Sequence, residues 1–130
     1  MAYKNIIAVI NLDDDFIMDL FSSVCYDSVF GLYPYLEDEV YDKVREQIEH
    51  RFSDDTLCIE DVWMEALKQG VLKAYDTEDD KYYDLTLEML KKGLEIYLNL
   101  EYTNKDLESM DAIDWANVLQ CVIFEDIIYG

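Results

Sequence analysis

The chain of 130 residues has one proline, four glycines, one histidine and only ten lysines and arginines. Each scarcity excludes something. The single histidine, His50, lies in no HExxH or Glu-x-x-His pattern, so zinc-hydrolase and di-iron readings lack their ligands. Cys25, Cys58 and Cys121 form no CxxC pair, which argues against a disulfide framework or a thiolate zinc site. Each cysteine lies in an apolar run and reads as a small buried hydrophobe, in keeping with a reducing cytoplasm. No apolar run approaches the roughly 18 residues of a membrane span. The short stretch Ile6–Ile10 is followed by Asn11 and Asp13–Asp15 with no small-residue cleavage site, so no signal peptide is predicted. There is no glycine-rich phosphate loop, and the shortage of basic residues disfavours direct nucleic-acid binding.

What the chain has in excess is acid. Thirty aspartates and glutamates give a formal net charge of -20. Such charge destabilises a small fold by self-repulsion, and it serves solubility, salt tolerance or attraction to a basic partner. Hydrophobic residues make up 52% of the chain and aromatics 14%, too much apolar content for a disordered acidic tail. The abundance of Ile, Leu, Val and Tyr also makes salt adaptation the weaker explanation.

Periodicity predicts one domain over residues 1–130, an all-α compact bundle of about five helices. Ile6–Leu12 fits either a short N-terminal strand, which would give an α+β variant, or the lead-in to a helix. Asp13 and Asp14 offer N-cap chemistry to a first helix running to about Asp27, with Phe16, Ile17, Leu20, Phe21, Val24 and Cys25 at helical spacing. Gly31 and Pro34 punctuate a turn. A second helix carries the stripe Val40, Val44, Ile48 and Phe52. A third holds Ile59, Val62, Trp63, Ala66 and Leu67 and runs toward Tyr75. Thr77 and Asp80 resemble a capping box for a long fourth helix from about Glu78 to Leu100, broken at Thr103-Asn104. Asp111 caps a last helix with Trp115, Ala116, Leu119, Val122 and Ile123 inward. Ile127 and Ile128 predict a packed C-terminus.

The acids are unevenly placed. Residues 1–42 hold nine acids and one base, Lys4, while residues 106–130 hold six acids and no base. Packed side by side, these two ends would make one negative face. The middle of the chain carries nine of the ten bases, with i,i+4 pairs expected at Glu88–Lys92 and Lys91–Glu95. Rows such as Asp15–Asp19, Asp38–Asp42–Glu46–Glu49, Asp61–Glu65 and Asp80–Asp84–Glu88 would set carboxylates roughly 5–6 Å apart on helices. Tyrosines accompany the acids at Tyr26, Tyr41, Tyr75, Tyr82, Tyr83 and Tyr102, supplying rigid contact area with a polar end.

No chemistry accompanies these surfaces. A calcium loop started at Asp76 has Lys81 where glycine is needed and Leu87 where glutamate is needed. Neither a metal nor a cofactor is predicted, and no convergent set of groups points to an enzyme.

The leading expectation is therefore binding to a basic protein, a DNA- or RNA-handling nuclease or complex. The carboxylates would stand in for phosphates and block its nucleic-acid surface. In size, charge and acid–aromatic composition the chain resembles the DNA mimics of phages and mobile elements that inhibit restriction or CRISPR nucleases. No motif carries that resemblance, so no residue roles follow from it. The expected contact residues are Asp13, Asp14, Asp15, Asp19, Glu37, Asp38, Glu39, Asp42, Asp111, Asp114, Glu125 and Asp126. The other reading is an acidic adaptor that docks or dimerises through an apolar–tyrosine patch, its charge serving solubility.

Overall fold

A computed structural model describes residues 13–25, 30–53, 55–100 and 110–129. They form five α-helices and a three-stranded antiparallel sheet, so the fold is α+β rather than all-α. The chain order is α1 (Asp14–Cys25), β1 (Leu32–Tyr35), α2 (Asp38–Ile48), a 3-10 turn (Glu49–Arg51), α3 (Ile59–Gln69), β2 (Lys73–Asp76), β3 (Lys81–Asp84), α4 (Leu87–Leu100) and α5 (Ala112–Phe124). Ile6–Leu12, Tyr26, Asp27, Tyr102 and Thr103-Asn104 lie outside the described residues.

Four helices follow their apolar periodicity. Asp13 caps α1 by accepting the Phe16 amide at 3.1 Å, and Ile17, Leu20, Phe21 and Val24 are buried. Val44 and Ile48 are the buried stripe of α2, with Val40 and Phe52 half-buried beside them. In α3 the residues Val62, Trp63, Ala66 and Leu67 face the core, where Trp63 meets Phe21 edge-on at 5.8 Å. In α5, Trp115, Ala116, Leu119 and Val122 are buried and Ile123 is half-buried.

The sheet is where sequence periodicity misled. α3 stops at Gln69 because Gly70 takes a left-handed conformation (φ 76°), so the helix does not reach Tyr75. The stretch expected to open the fourth helix is instead the β2–β3 hairpin. Thr77 and Asp80 belong to its turn, with Asp80 at φ 52°. The Asp76 carboxylate accepts the Glu78 amide at 3.0 Å and shapes that turn. The cap of α4 is Thr86, whose hydroxyl accepts the Met89 amide at 3.2 Å. Pro34 lies inside β1 opposite Ala74. The Thr77 amide bonds the Gly31 carbonyl at 2.9 Å, which makes Gly31–Thr77 and, by alternation, Tyr33–Tyr75 the hydrogen-bonded pairs. Pro34 thus sits in a pair that asks no amide of it.

Helices α4 and α5 pack tightly. A Cβ on Gly93 would lie 2.6 Å from the Val122 Cα and amide nitrogen, so only glycine permits this approach. The C-terminal tail is fixed by the buried Gln120. Its side-chain oxygen accepts the amides of Ile128 (3.0 Å) and Tyr129 (2.7 Å), and its nitrogen donates to the Tyr129 carbonyl (3.0 Å). The Tyr129 hydroxyl then donates to the buried Asp76 at 2.8 Å. The terminus is held by polar bonds, while Ile127 and Ile128 themselves are exposed. Among the described residues no helix is long and apolar enough to cross a membrane.

Candidate functional site

Strand alternation sorts the hairpin and β1 into two faces. Leu32, Pro34, Ala74 and Asp76 are buried on the inner face. The outer face carries Tyr33, Tyr75 and Tyr82 in one cross-strand row, and Tyr35, Lys73 and Asp84 in the next. The rings touch. Tyr75 and Tyr82 lie 4.7 Å apart, Tyr35 and Tyr82 4.9 Å, Tyr33 and Tyr75 5.8 Å, and Tyr35 and Tyr75 6.0 Å. Tyr82 is 53% exposed, large for an aromatic side chain.

Carboxylates border these rings. The Tyr75 hydroxyl donates to Asp80 at 2.7 Å. That bond, with burial, pushes the Tyr75 phenol up to about 12. Burial raises the Tyr35 phenol, and neighbouring Tyr82 and the charges of Glu37 and Asp38 add to the effect. A groove of about 390 Å³ runs from this face between Tyr33, Tyr35, Asp38, Tyr41, Ile59 and Trp63. A second, of about 270 Å³, is lined by Leu36, Glu37, Val40, Val71, Lys73 and Asp84 among others. Among the described residues Lys73 is the one cation on the outer face, loosely paired with Asp84 at 3.6 Å.

The twelve acids expected to make contact divide sharply. Asp15, Asp19, Glu37, Asp38, Glu39 and Asp42 are exposed and form no ion pair among the described residues. The row Asp38–Asp42–Glu46–Glu49 is exposed along α2 and the turn after it. Asp13 is occupied as a cap, and Asp14 receives Lys68 at 2.9 Å. Asp126 accepts the neighbouring Ile127 amide at 2.8 Å. Glu125 receives Lys92 at 2.5 Å, which raises the Lys92 pKa.

Asp114 corrects the surface reading outright. It is only 3% exposed and forms a reciprocal capping box with Asp111 at 2.9 and 3.0 Å. It also accepts the Tyr97 hydroxyl. An acid at the third position of a helix is drawn inward by the amides it satisfies and is not free for a partner.

The C-terminal acids form no single patch. Asp111 and Glu125 stand at opposite ends of α5, about 20 Å apart at 1.5 Å per residue. The N-terminal acids are better gathered. Asp14 reaches Lys68 near the end of α3, and Glu37 lines a groove with Gly70 and Val71 just beyond it. The starts of α1 and α2 therefore flank the same segment.

Other expectations changed with the fold. Asp80–Asp84–Glu88 is not a helical row, because Asp80 is in a turn and Asp84 in a strand. Asp61 bonds the Cys58 amide at 2.9 Å, and Glu65 meets Arg51 at 3.4 Å. Lys91 pairs with Glu88 at 3.7 Å rather than with Glu95, and Lys92 reaches Glu125 rather than Glu88. Cys121 is buried and its thiol is pushed up to about 11, whereas Cys58 is exposed at the start of α3. Among the described residues no group of three or more His, Cys, Asp or Glu is placed to hold a metal ion.

Tyr33 and Tyr35 escaped the sequence reading because Pro34 between them signals a turn. The alternation Leu32-Tyr33-Pro34-Tyr35-Leu36 was the available clue, period two with tyrosine always on one side. Compared with protein-family models, curated proteins and solved structures, the chain matches none of them.

Proposed function

We propose that this protein is an acidic binding module that docks on a basic, nucleic-acid-binding surface of a cytoplasmic partner and blocks it, its carboxylates taking the place of phosphates. The observation that carries the reading is the tyrosine face bordered by Glu37 and Asp38, with Glu39 and Asp42 exposed further along α2 and none of the four in an ion pair among the described residues. Charge of this kind steers a cationic partner and fixes its register, and rigid tyrosines supply contact area at little entropic cost. The docking surface in this reading is the outer sheet face and the start of α2.

The test is affinity capture from a lysate of the source cell with the wild type and with the variant E37Q/D38N/E39Q/D42N. These side chains are exposed and form no ion pair among the described residues, so the variant should fold, losing only the favourable interaction of Glu37, Asp38 and Glu39 with the N-terminus of α2, which a thermal-unfolding control measures. Captured proteins should be basic nucleic-acid-handling proteins released by duplex DNA, and the variant should capture them weakly. Equal capture by the variant, undisturbed by DNA, would overturn the proposal.

A further inference from the structure

We infer that the outer sheet face is a receptor for arginine side chains, and that its occupant is an arginine-rich segment of the basic partner. This rests on the reading above and narrows it from charge to a particular side chain.

Tyr35, Tyr75 and Tyr82 form a closed triangle of rings with centroids 4.7 to 6.0 Å apart. The ring at its rim, Tyr82, is 53% exposed and offers a face for stacking. A tyrosine that donates to a carboxylate, as Tyr75 does to Asp80, becomes richer in ring electron density. That strengthens its attraction for a cation.

Around the triangle stand Glu37, Asp38, Asp80 and Asp84, against Lys73 as the single cation of the outer face among the described residues. The rim is therefore anionic while the floor is aromatic. A guanidinium satisfies both parts at once, stacking on a ring with its plane and bonding a carboxylate in its fork. An ammonium is more strongly hydrated and cannot stack as a plane. A second copy of this chain would bring -20 against -20, and a nucleic acid would meet the same repulsion. Charge complementarity leaves a cationic protein segment.

The experiment is calorimetric titration of the full chain at low salt with two peptides of equal length and charge, one of alternating arginine and glycine, the other of alternating lysine and glycine. The arginine peptide should bind about fivefold more tightly. Y82A should abolish that preference while still binding both peptides by charge, and Y82F, which keeps the ring, should retain it. An arginine preference unchanged in Y82A overturns the inference and leaves the electrostatic reading standing. Failure of both peptides to bind the wild type overturns both.

Discussion

Replacing Gln120 with leucine removes a buried polar clamp at nearly constant volume, and its effect can be estimated bond by bond. The side chain is fully buried and makes three hydrogen bonds to the backbone of Ile128 and Tyr129, plus one to Asn117 at 3.2 Å. Each neutral bond contributes about 0.5–1.5 kcal/mol net, so losing the three to the tail costs about 2–4 kcal/mol. Leucine fills the space, so little cavity penalty is added. The freed tail amides can turn to solvent, which limits the loss to the bonds themselves. With the tail released, the Tyr129 hydroxyl leaves Asp76, and the ring contact between Phe124 and Tyr129 at 5.8 Å opens. Because Asp76 shapes the hairpin turn under the tyrosine face, Q120L should weaken that face as well as the fold. For a domain of this size a loss of 2–4 kcal/mol lowers Tm by roughly 6–20 °C. Thermal unfolding measures the stability, and amide exchange at Ile128 and Tyr129 reports the tail directly. A Tm within 2 °C of wild type with both amides still protected would refute the reasoning.

Two further perturbations probe the frame and its titration. G93A should be severely destabilising, by about 1–3 kcal/mol or more, because a Cβ meets the Val122 backbone and α4 must move off α5; a chemical-denaturation midpoint equal to wild type would contradict this. Alkaline pH should unfold the protein through Tyr75 and Tyr129, both held protonated to about 12 chiefly by hydrogen bonds to Asp80 and Asp76. An unfolded tyrosine releases its proton near 10, so the stability these phenols contribute is complete below pH 10 and declines as pH rises toward 12. The double variant Y75F/Y129F should lose less stability between pH 9 and 11 than wild type, and identical slopes would show that the two phenols do not carry the effect.

The helices were largely legible because their burial has a 3.6-residue period that acids on the other face do not disturb. Val44 and Ile48 in α2, and Trp115 and Leu119 in α5, fall where the pattern puts them. The hairpin was not legible for the opposite reason. Lys73–Asp84 mixes charge and tyrosine on both sides of its strands, and β3 is mostly exposed, so no apolar alternation marks it. Its existence is decided by Gly70, which ends α3, and by pairing with β1, a segment distant in sequence. The acids divide by the same logic. Those on the solvent side of α2 could be read as surface, whereas Asp114 looks identical in composition and is buried by its cap and Tyr97. The pattern Asp111-x-x-Asp114 before an apolar run was the sign of that role.

The central claim is that charge at the tyrosine face holds a basic partner in place of nucleic acid. It is tested most directly by the affinity for a captured partner, measured from about 50 to 200 mM salt with and without competing duplex DNA. The account predicts a steep fall in affinity with salt, a shallower fall for E37Q/D38N/E39Q/D42N, and displacement by the duplex. An affinity that is flat across that range and indifferent to DNA would contradict it, and would leave the charge as a coat on an apolar docking protein.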